Sequence, residues 1–352
     1  MTDVRRRALI GAAAASLAAP AVLRIPRARA QEVTLRLHHF LPAVSNVHRH
    51  FLQPWARKVQ QESGNRLRIQ IFPSMQLGGA PPQLYDQARD GVADIIWTLP
   101  GNTPGRFPRI EVIELPFVAH KRASVNARVT QELFEKHMRD EFRETHIIVA
   151  WAHDHGLIHA RREVKTMEDL RGLKLRFPTR MAGEGLRALG ATAIGLPIPQ
   201  VPEALTQGVI DGAVVPWEVV PAIRLQEMVR HHTEIPGSPT FYTTSFVLAM
   251  NKPKYDSLPA DLRRVLDANS GQVAAAMAAK VWDEQGPVVE AQVRRRGNQI
   301  SEITAEERDR WQRATQPVVE NWVAQMRERG IDGGALLEET RALVARYGQG
   351  VA

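Results

Sequence analysis

Arg176 stands in the setting that points most directly to chemistry. In Leu173-Lys174-Leu175-Arg176-Phe177-Pro178-Thr179-Arg180 the alternation sets Leu173, Leu175 and Phe177 on one face and Lys174 and Arg176 on the other, and Pro178 ends the strand. Arg176 therefore lies at a strand's carboxyl end. A guanidinium there can hold a carboxylate by two parallel charge-assisted bonds, which a lysine ammonium cannot reproduce. The competing reading is a surface arginine on an edge strand.

Other candidates share that strand-end placement. Pro216-Trp217-Glu218 follows a strand ending at Val215, with Trp217 as an apolar wall and Glu218 as an acceptor for a hydroxyl or amine. Trp97 to Asn102 closes another strand and Phe40-Leu41-Pro42 a third, so Trp97 and Phe40 offer apolar surface and Asn102 a polar tip. Phe177, Phe241 and Tyr242 are further candidates for the wall of a cleft suited to a ligand with an apolar or aromatic body. Each of these aromatics also reads as core. His153-Asp154-His155 contains residue types that bind zinc, but no third ligand stands at a useful spacing, so no metal is expected. His155 is instead read as a hydrogen-bond donor to the ligand. Arg161 and Arg162 read as loop residues.

Catalysis needs a nucleophile and base, or paired carboxylates, converging on one cleft. The sequence has no cysteine, no G-x-S-x-G elbow, no H-E-x-x-H and no phosphate-cradling glycine loop. An enzyme is not expected, and no cofactor is implied. The best enzymatic alternative is a metal-dependent periplasmic hydrolase built on His153, His155 and Glu218.

The elements that must position these residues alternate in type. Val33 to His39 reads as a strand, Val47 to Glu62 as a helix, Leu67 to Phe72 as a strand, Pro81 to Asp90 as a helix and Ala93 to Leu99 as a strand. A second alternation follows: strand 147–150, helix 167–170, strand 173–177, helices 181–189 and 202–207, and strand 210–215. Such order implies parallel α/β sheets, which bind ligands at the carboxyl ends of their strands. Phe241 to Met250 is a strand that returns the chain to the first unit, and the pattern from Pro259 onward is helical throughout, including one helix long enough to span both units. The fold class is therefore α/β with two hinge-linked lobes: residues 31–153 plus 242–281, and 154–241 plus 282–352 with the C-terminal helices. No internal repeat or low-complexity tether appears.

Residues 1–30 read as a signal peptide, with a basic Arg5-Arg6-Arg7, an Ala-rich apolar stretch and an A-x-A site ending at Ala30. The apolar stretch is short for a spanning helix. Either general or twin-arginine export fits, and both end outside the cytoplasm. The precursor's +8 charge falls to +3 once the +5 of residues 1–30 is set aside. No clustered basic and aromatic footprint remains, so nucleic acid is not an expected partner. Without cysteine the exported protein must rest on its hydrophobic cores. A monomer is expected.

The segment Leu170-Arg171-Gly172-Leu173-Lys174-Leu175-Arg176-Phe177-Pro178 resembles the D-L-K-G-L-K-I-R-x-P signature of the periplasmic solute-binding proteins of TRAP (tripartite ATP-independent periplasmic) transporters. Gln76-Leu77-Gly78-Gly79, Gly105-Arg106-Phe107-Pro108 with Glu114-Leu115-Pro116-Phe117, and Ala204 through Gly212 fit the same family, in order. The resemblance implies two lobes closing on a ligand, Arg176 gripping a small organic carboxylate, and delivery to the membrane permease subunits without ATP. One departure stands out: many members carry a second arginine in a G-x-R pattern, whereas Gly156 here is followed by Leu157, Ile158 and His159. A binding protein for an ATP-driven importer would share the fold and cleft.

Overall fold

The computed structural model describes residues 32–351. The expected signal peptide lies outside the described residues. Along the chain run β1 (Val33–His38), α1 (Gln53–Glu62), β2 (Leu67–Phe72), α2 (Leu84–Arg89), β3 (Ile95–Thr98), α3 (Ala123–Leu133) and β4 (Thr145–Ala152). Then come β5 (Leu157–Ala160), α4 (Met167–Leu170), β6 (Lys174–Phe177), α5 (Arg180–Ala188), β7 (Thr192–Gly195), α6 (Val201–Thr206), β8 (Gly212–Val215), α7 (Leu225–Met228) and β9 (His231–Glu234). The chain ends with β10 (Ser245–Asn251), α8 (Lys252–Asp256), α9 (Ala260–Ala268), α10 (Gly271–Arg295), β11 (Gln299–Glu302), α11 (Ala305–Glu328) and α12 (Gly333–Gly348).

These strands form two sheets, ordered β2-β1-β3-β10-β4 and β11-β9-β5-β8-β6-β7. In the first, β1 pairs parallel with β2 and β3, and β10 enters antiparallel between β3 and β4. In the second, β6 is parallel to both β7 and β8. Apolar side chains make the elements pack: Leu35, Leu37, Phe51, Trp55, Ile95 and Val247 are fully buried around the first sheet. Ile158, Leu175, Leu186 and Val214 form a second core with Phe241 and Trp311. The result is a two-lobed α/β protein.

The strand-helix alternation up to β3 matches the sequence pattern, and β10 returns to the first sheet as its apolar run suggests. It begins at Ser245, however, leaving Phe241 to Thr244 as irregular chain between the lobes. The helix expected from Val47 opens with a π turn at His48–Leu52 before α1. β5 escapes the pattern because all four of its residues are buried, which erases the alternation of a half-exposed strand. β7 and β11 lie at opposite ends of the second sheet, and polar Gln299–Glu302 interrupts a region that otherwise reads as helix.

The C-terminal helices do not all follow the second lobe, as had been expected. α11 lies against α5 in that lobe, but α12 packs on α3 of the first. Helix α10 spans further still, resting on α3 and β4 and also on the 3-10 helix Trp217–Ile223 that follows β8.

Gly156, between β4 and β5, shows how tightly the lobes are joined. A Cβ there would lie 2.1 Å from two ring carbons of Tyr242, and the Gly156 N–H donates to the Tyr242 carbonyl at 3.1 Å. Backbone and ring are in contact with no room between them. Gly156→Ala is expected to cost about 1–3 kcal/mol by overpacking. Urea unfolding of the variant measures this, and an unchanged midpoint would show that Tyr242 is not held there.

Candidate ligand-binding site

The carboxyl ends of β1 and β3 face those of β6 and β8 across a cavity with about 430 Å³ of atom-free space, its mouth included. Phe40, Leu41, Trp97 and Leu99 line it from the first lobe; Arg176, Pro178, Val214, Val215, Glu218 and Val219 line it from the second. His153, Tyr242 and Thr244 come from the connections between lobes, Phe246 from β10 and Trp282 from the middle of α10. Phe40 and Trp97 have ring centroids 4.7 Å apart, Trp97 and Phe246 5.7 Å, and Phe246 stacks on Trp282 at 5.5 Å. One side of the cavity is therefore a continuous aromatic wall.

Arg176 is only 3 % exposed. Its Nε donates to the Leu196 carbonyl at 2.8 Å and its Nη1 to the Val214 carbonyl at 3.4 Å. Nη2 has no hydrogen-bond partner, and no carboxylate pairs with the guanidinium, among the described residues. Desolvation by burial pulls its pKa down to about 10, and the neighbouring Tyr242 counters this in part. Tyr242 is fully buried, and burial drives its hydroxyl well above the ordinary value, with Arg176 opposing. Tyr242 Oη, Thr244 Oγ1, Trp97 Nε1 and Trp282 Nε1 are buried without partners among the described residues. Buried polar atoms are ordinarily paired, so these four are free to meet polar atoms of another molecule.

Glu218 is the carboxyl group of the lining. It is 2 % exposed, its Oε1 accepts the Val47 N–H at 3.2 Å, and its carbonyl accepts from Asn46 Nδ2 at 2.9 Å. Both contacts reach from the chain after β8 to the chain before α1, tying one lobe to the other. Burial raises the Glu218 pKa to about 8, with the Val47 amide opposing and the Asp154 charge adding to the rise. Burial thus favours the neutral carboxylic acid, which can donate as well as accept, whereas the sequence suggested an acceptor alone.

Of the nine expected ligand residues, Arg176, Phe40, Trp97 and Glu218 line the cavity and five lie elsewhere. Phe177 points to the opposite face of β6 from Arg176, packing near the Arg187 guanidinium at 5.2 Å; the strand's own alternation had put it there. Asn102 turns back to donate to Thr98 Oγ1 at 3.3 Å and faces a separate groove. Trp217 donates from Nε1 to Glu234 Oε1 at 2.6 Å, because the 3-10 turn swings it away from its neighbour Glu218. His155 pairs with Glu234 Oε2 at 3.0 Å, outside the cavity. Burial lowers the His155 pKa, but Glu234 and the Asp154 charge outweigh that and raise it to about 9. Phe241 is fully buried between Phe117 and Trp311. The histidine that does line the cavity is His153, whose Nδ1 lies 2.7 Å from the Asp154 carbonyl oxygen. Among the described residues no group of three His, Cys, Asp or Glu is arranged to hold a metal.

Phe246, Thr244 and Trp282 are the main residues that the sequence reading missed. Trp282 had a signal, the apolar stripe of α10, but a stripe does not say which of its members looks into a cleft.

Residues 37–326 match the family model for bacterial extracellular solute-binding protein, family 7. The chain belongs to this family. Among solved structures it is similar to a TRAP solute-binding protein from Rhodoferax ferrireducens T118 in complex with copurified benzoate, at 43 % identity and a TM-score of 0.88, covering 91 % of this chain and 100 % of that one. A marine-metagenome TRAP solute-binding protein specific for aromatic acid ligands, with 3-hydroxybenzoate, is 38 % identical at a TM-score of 0.88, covering 90 % and 99 %. The C4-dicarboxylate-binding periplasmic protein DctP of Rhodobacter capsulatus is 25 % identical over 88 % of this chain and 91 % of its own. Family 7 proteins are the substrate-binding components of transporters rather than enzymes, and this chain has their two-lobed TRAP solute-binding fold.

Two stability effects follow from the buried charges. Arg176→Met exchanges an unpaired buried cation for an apolar chain, so ligand-free stability is expected to hold or rise; a clear fall in melting temperature would show that the two carbonyl contacts outweigh desolvation. For Glu218 the folded pKa, about 8, lies above the ordinary 4.5. Its contribution is thus fully present below pH 4.5 and is lost as pH rises through 8. Denaturation midpoints measured across that range should decline less steeply in Glu218→Gln than in the wild type, and parallel profiles would refute the assignment.

Proposed function

We propose that this chain captures an aromatic monocarboxylate in the periplasm and hands it to the membrane permease subunits of a TRAP transporter. The observation that carries this reading is Arg176: a buried guanidinium with no acidic partner among the described residues, at the edge of an aromatic-walled cavity. A ligand carboxylate would supply the missing anion, and a ring would stack within the wall formed by Phe40, Trp97, Phe246 and Trp282. The benzoate and aromatic-acid complexes of the two similar structures support the same ligand class. So does Ile158, an apolar core residue at the third position of Gly156-Leu157-Ile158, where the family resemblance leads one to look for a second arginine. One buried cation suits one carboxylate better than the two of a C4 dicarboxylate.

In this reading residues 1–30 direct export and are removed after Ala30, and the mature protein works as a monomer. The lobes carried by the two sheets close about the connections at 153–156 and 241–244. Ligand contacts from both lobes favour the closed form by their differential affinity, and the permease recognises that form.

Titration calorimetry with benzoate on the wild type and on Arg176→Ala tests the proposal. Loss of the buried charge partner should cost about 2–5 kcal/mol of binding, and benzoate at a hundred times its Kd should stabilise the wild type by about 2.7 kcal/mol in thermal shift. A wild type that ignores benzoate and its simple relatives, or an alanine variant that binds them equally well, would end this reading.

A further inference from the structure

Glu218 is the acidic side chain of the cavity lining, and carboxylate capture does not use it. Its backbone carbonyl and Oε1 are engaged by Asn46 and Val47, while Oε2 has no hydrogen-bond partner among the described residues. It does not serve as counter-ion to Arg176, for no ion pair joins them among the described residues. The influences on its ionisation are burial, the Val47 amide and Asp154, with Arg176 not among them. The cavity thus carries a cation on β6 and, separately, a carboxyl on the chain beyond β8, with aromatic surface lining the space they share.

An Oε1 that accepts an amide N–H leaves the second oxygen as the group presented to a ligand. When protonated, Oε2 donates to a hydroxyl oxygen; when ionised, it accepts from a hydroxyl hydrogen. A hydroxyl is therefore matched in either state, whereas a methyl group of similar size leaves a buried polar atom unpaired, the more costly mismatch.

We propose that Glu218 is a specificity-determining residue that selects ring acids bearing a hydroxyl group over those bearing an apolar substituent at the same ring position. This rests on the aromatic-carboxylate reading above and deepens it. Held rigid by two contacts to the opposite lobe, Glu218 also makes the hydroxyl's hydrogen bond available only in the closed arrangement, so selection and closure act through one side chain.

The test uses benzoate with matched hydroxybenzoates and methylbenzoates, substituted ortho, meta or para, in calorimetric titrations of the mature protein. The wild type is expected to bind one hydroxy isomer about tenfold or more tightly than its methyl counterpart. In Glu218→Leu that ratio should fall to about one or below, with the ratio rather than the benzoate affinity itself as the readout, because loss of the Val47 contact also bears on closure. Glu218→Gln keeps an acceptor for the Val47 N–H and a donor for the ligand, and should retain the hydroxyl preference. A wild-type ratio of one or less at every ring position overturns the proposal without any variant. An undiminished ratio in Glu218→Leu, or a ratio lost equally in Glu218→Gln, also overturns it. Failure of benzoate itself to bind the wild type would count against the aromatic-carboxylate reading, a separately visible result.

Discussion

A guanidinium taken out of water with no acid beside it among the described residues is the constraint around which this molecule is arranged. In a medium of low polarity an isolated charge is expensive, and the downward pull on the pKa of Arg176 is the direct expression of that cost. Two main-chain carbonyls, of Leu196 and Val214, offset part of it. Both acceptors come from the second sheet's own strands and connections, so the lobe's hydrophobic core holds the arginine in a fixed pose before any ligand arrives. The same low polarity that makes the charge costly makes its attraction to an incoming anion strong. A solvent-exposed arginine would avoid the cost and lose the grip.

The two lobes are joined by polar contacts as well as by a shared apolar cluster. The carboxyl and carbonyl of Glu218 meet the loop before α1, and Arg180 of α5 makes a two-pronged contact with Glu111, which lies between β3 and α3 on the first-lobe side, at 2.5 and 3.1 Å. Helix α10 adds to the apolar cluster, with Trp282 touching the cavity while the helix rests on both lobes. Polar interlobe contacts exchange readily with water, so they suit surfaces that must part and rejoin. The helix supplies a backbone that does not have to break.

How much of this the sequence reveals depends on how local the signal is. Arg176 was readable because alternation and a terminating proline both act within five residues. Phe177 was assigned to the cleft against that same alternation, and the strand's geometry prevailed. Trp217 and Glu218 are adjacent yet separated by a 3-10 turn, which sends one to Glu234 and the other to the cavity. Thr244, Phe246 and Trp282 reach the site from elements far along the chain, and no window of neighbouring residues encodes that meeting. The fold class, by contrast, was written in repeated strand-helix alternation, although helix α3 and the short strands β5, β7, β9 and β11 went unread.

β10 has a consequence for how the chain acquires its shape. The strand fills the gap between β3 and β4, yet it is made after the whole second sheet except β11. Until residue 251 is available, β3 and β4 are both left with an unpaired edge, and the first lobe cannot complete its core. Assembly must wait for pairing across a long stretch of chain, which is intrinsically slow. Such late stitching leaves the leading half of the first lobe without its full sheet until the trailing half of the chain has been made.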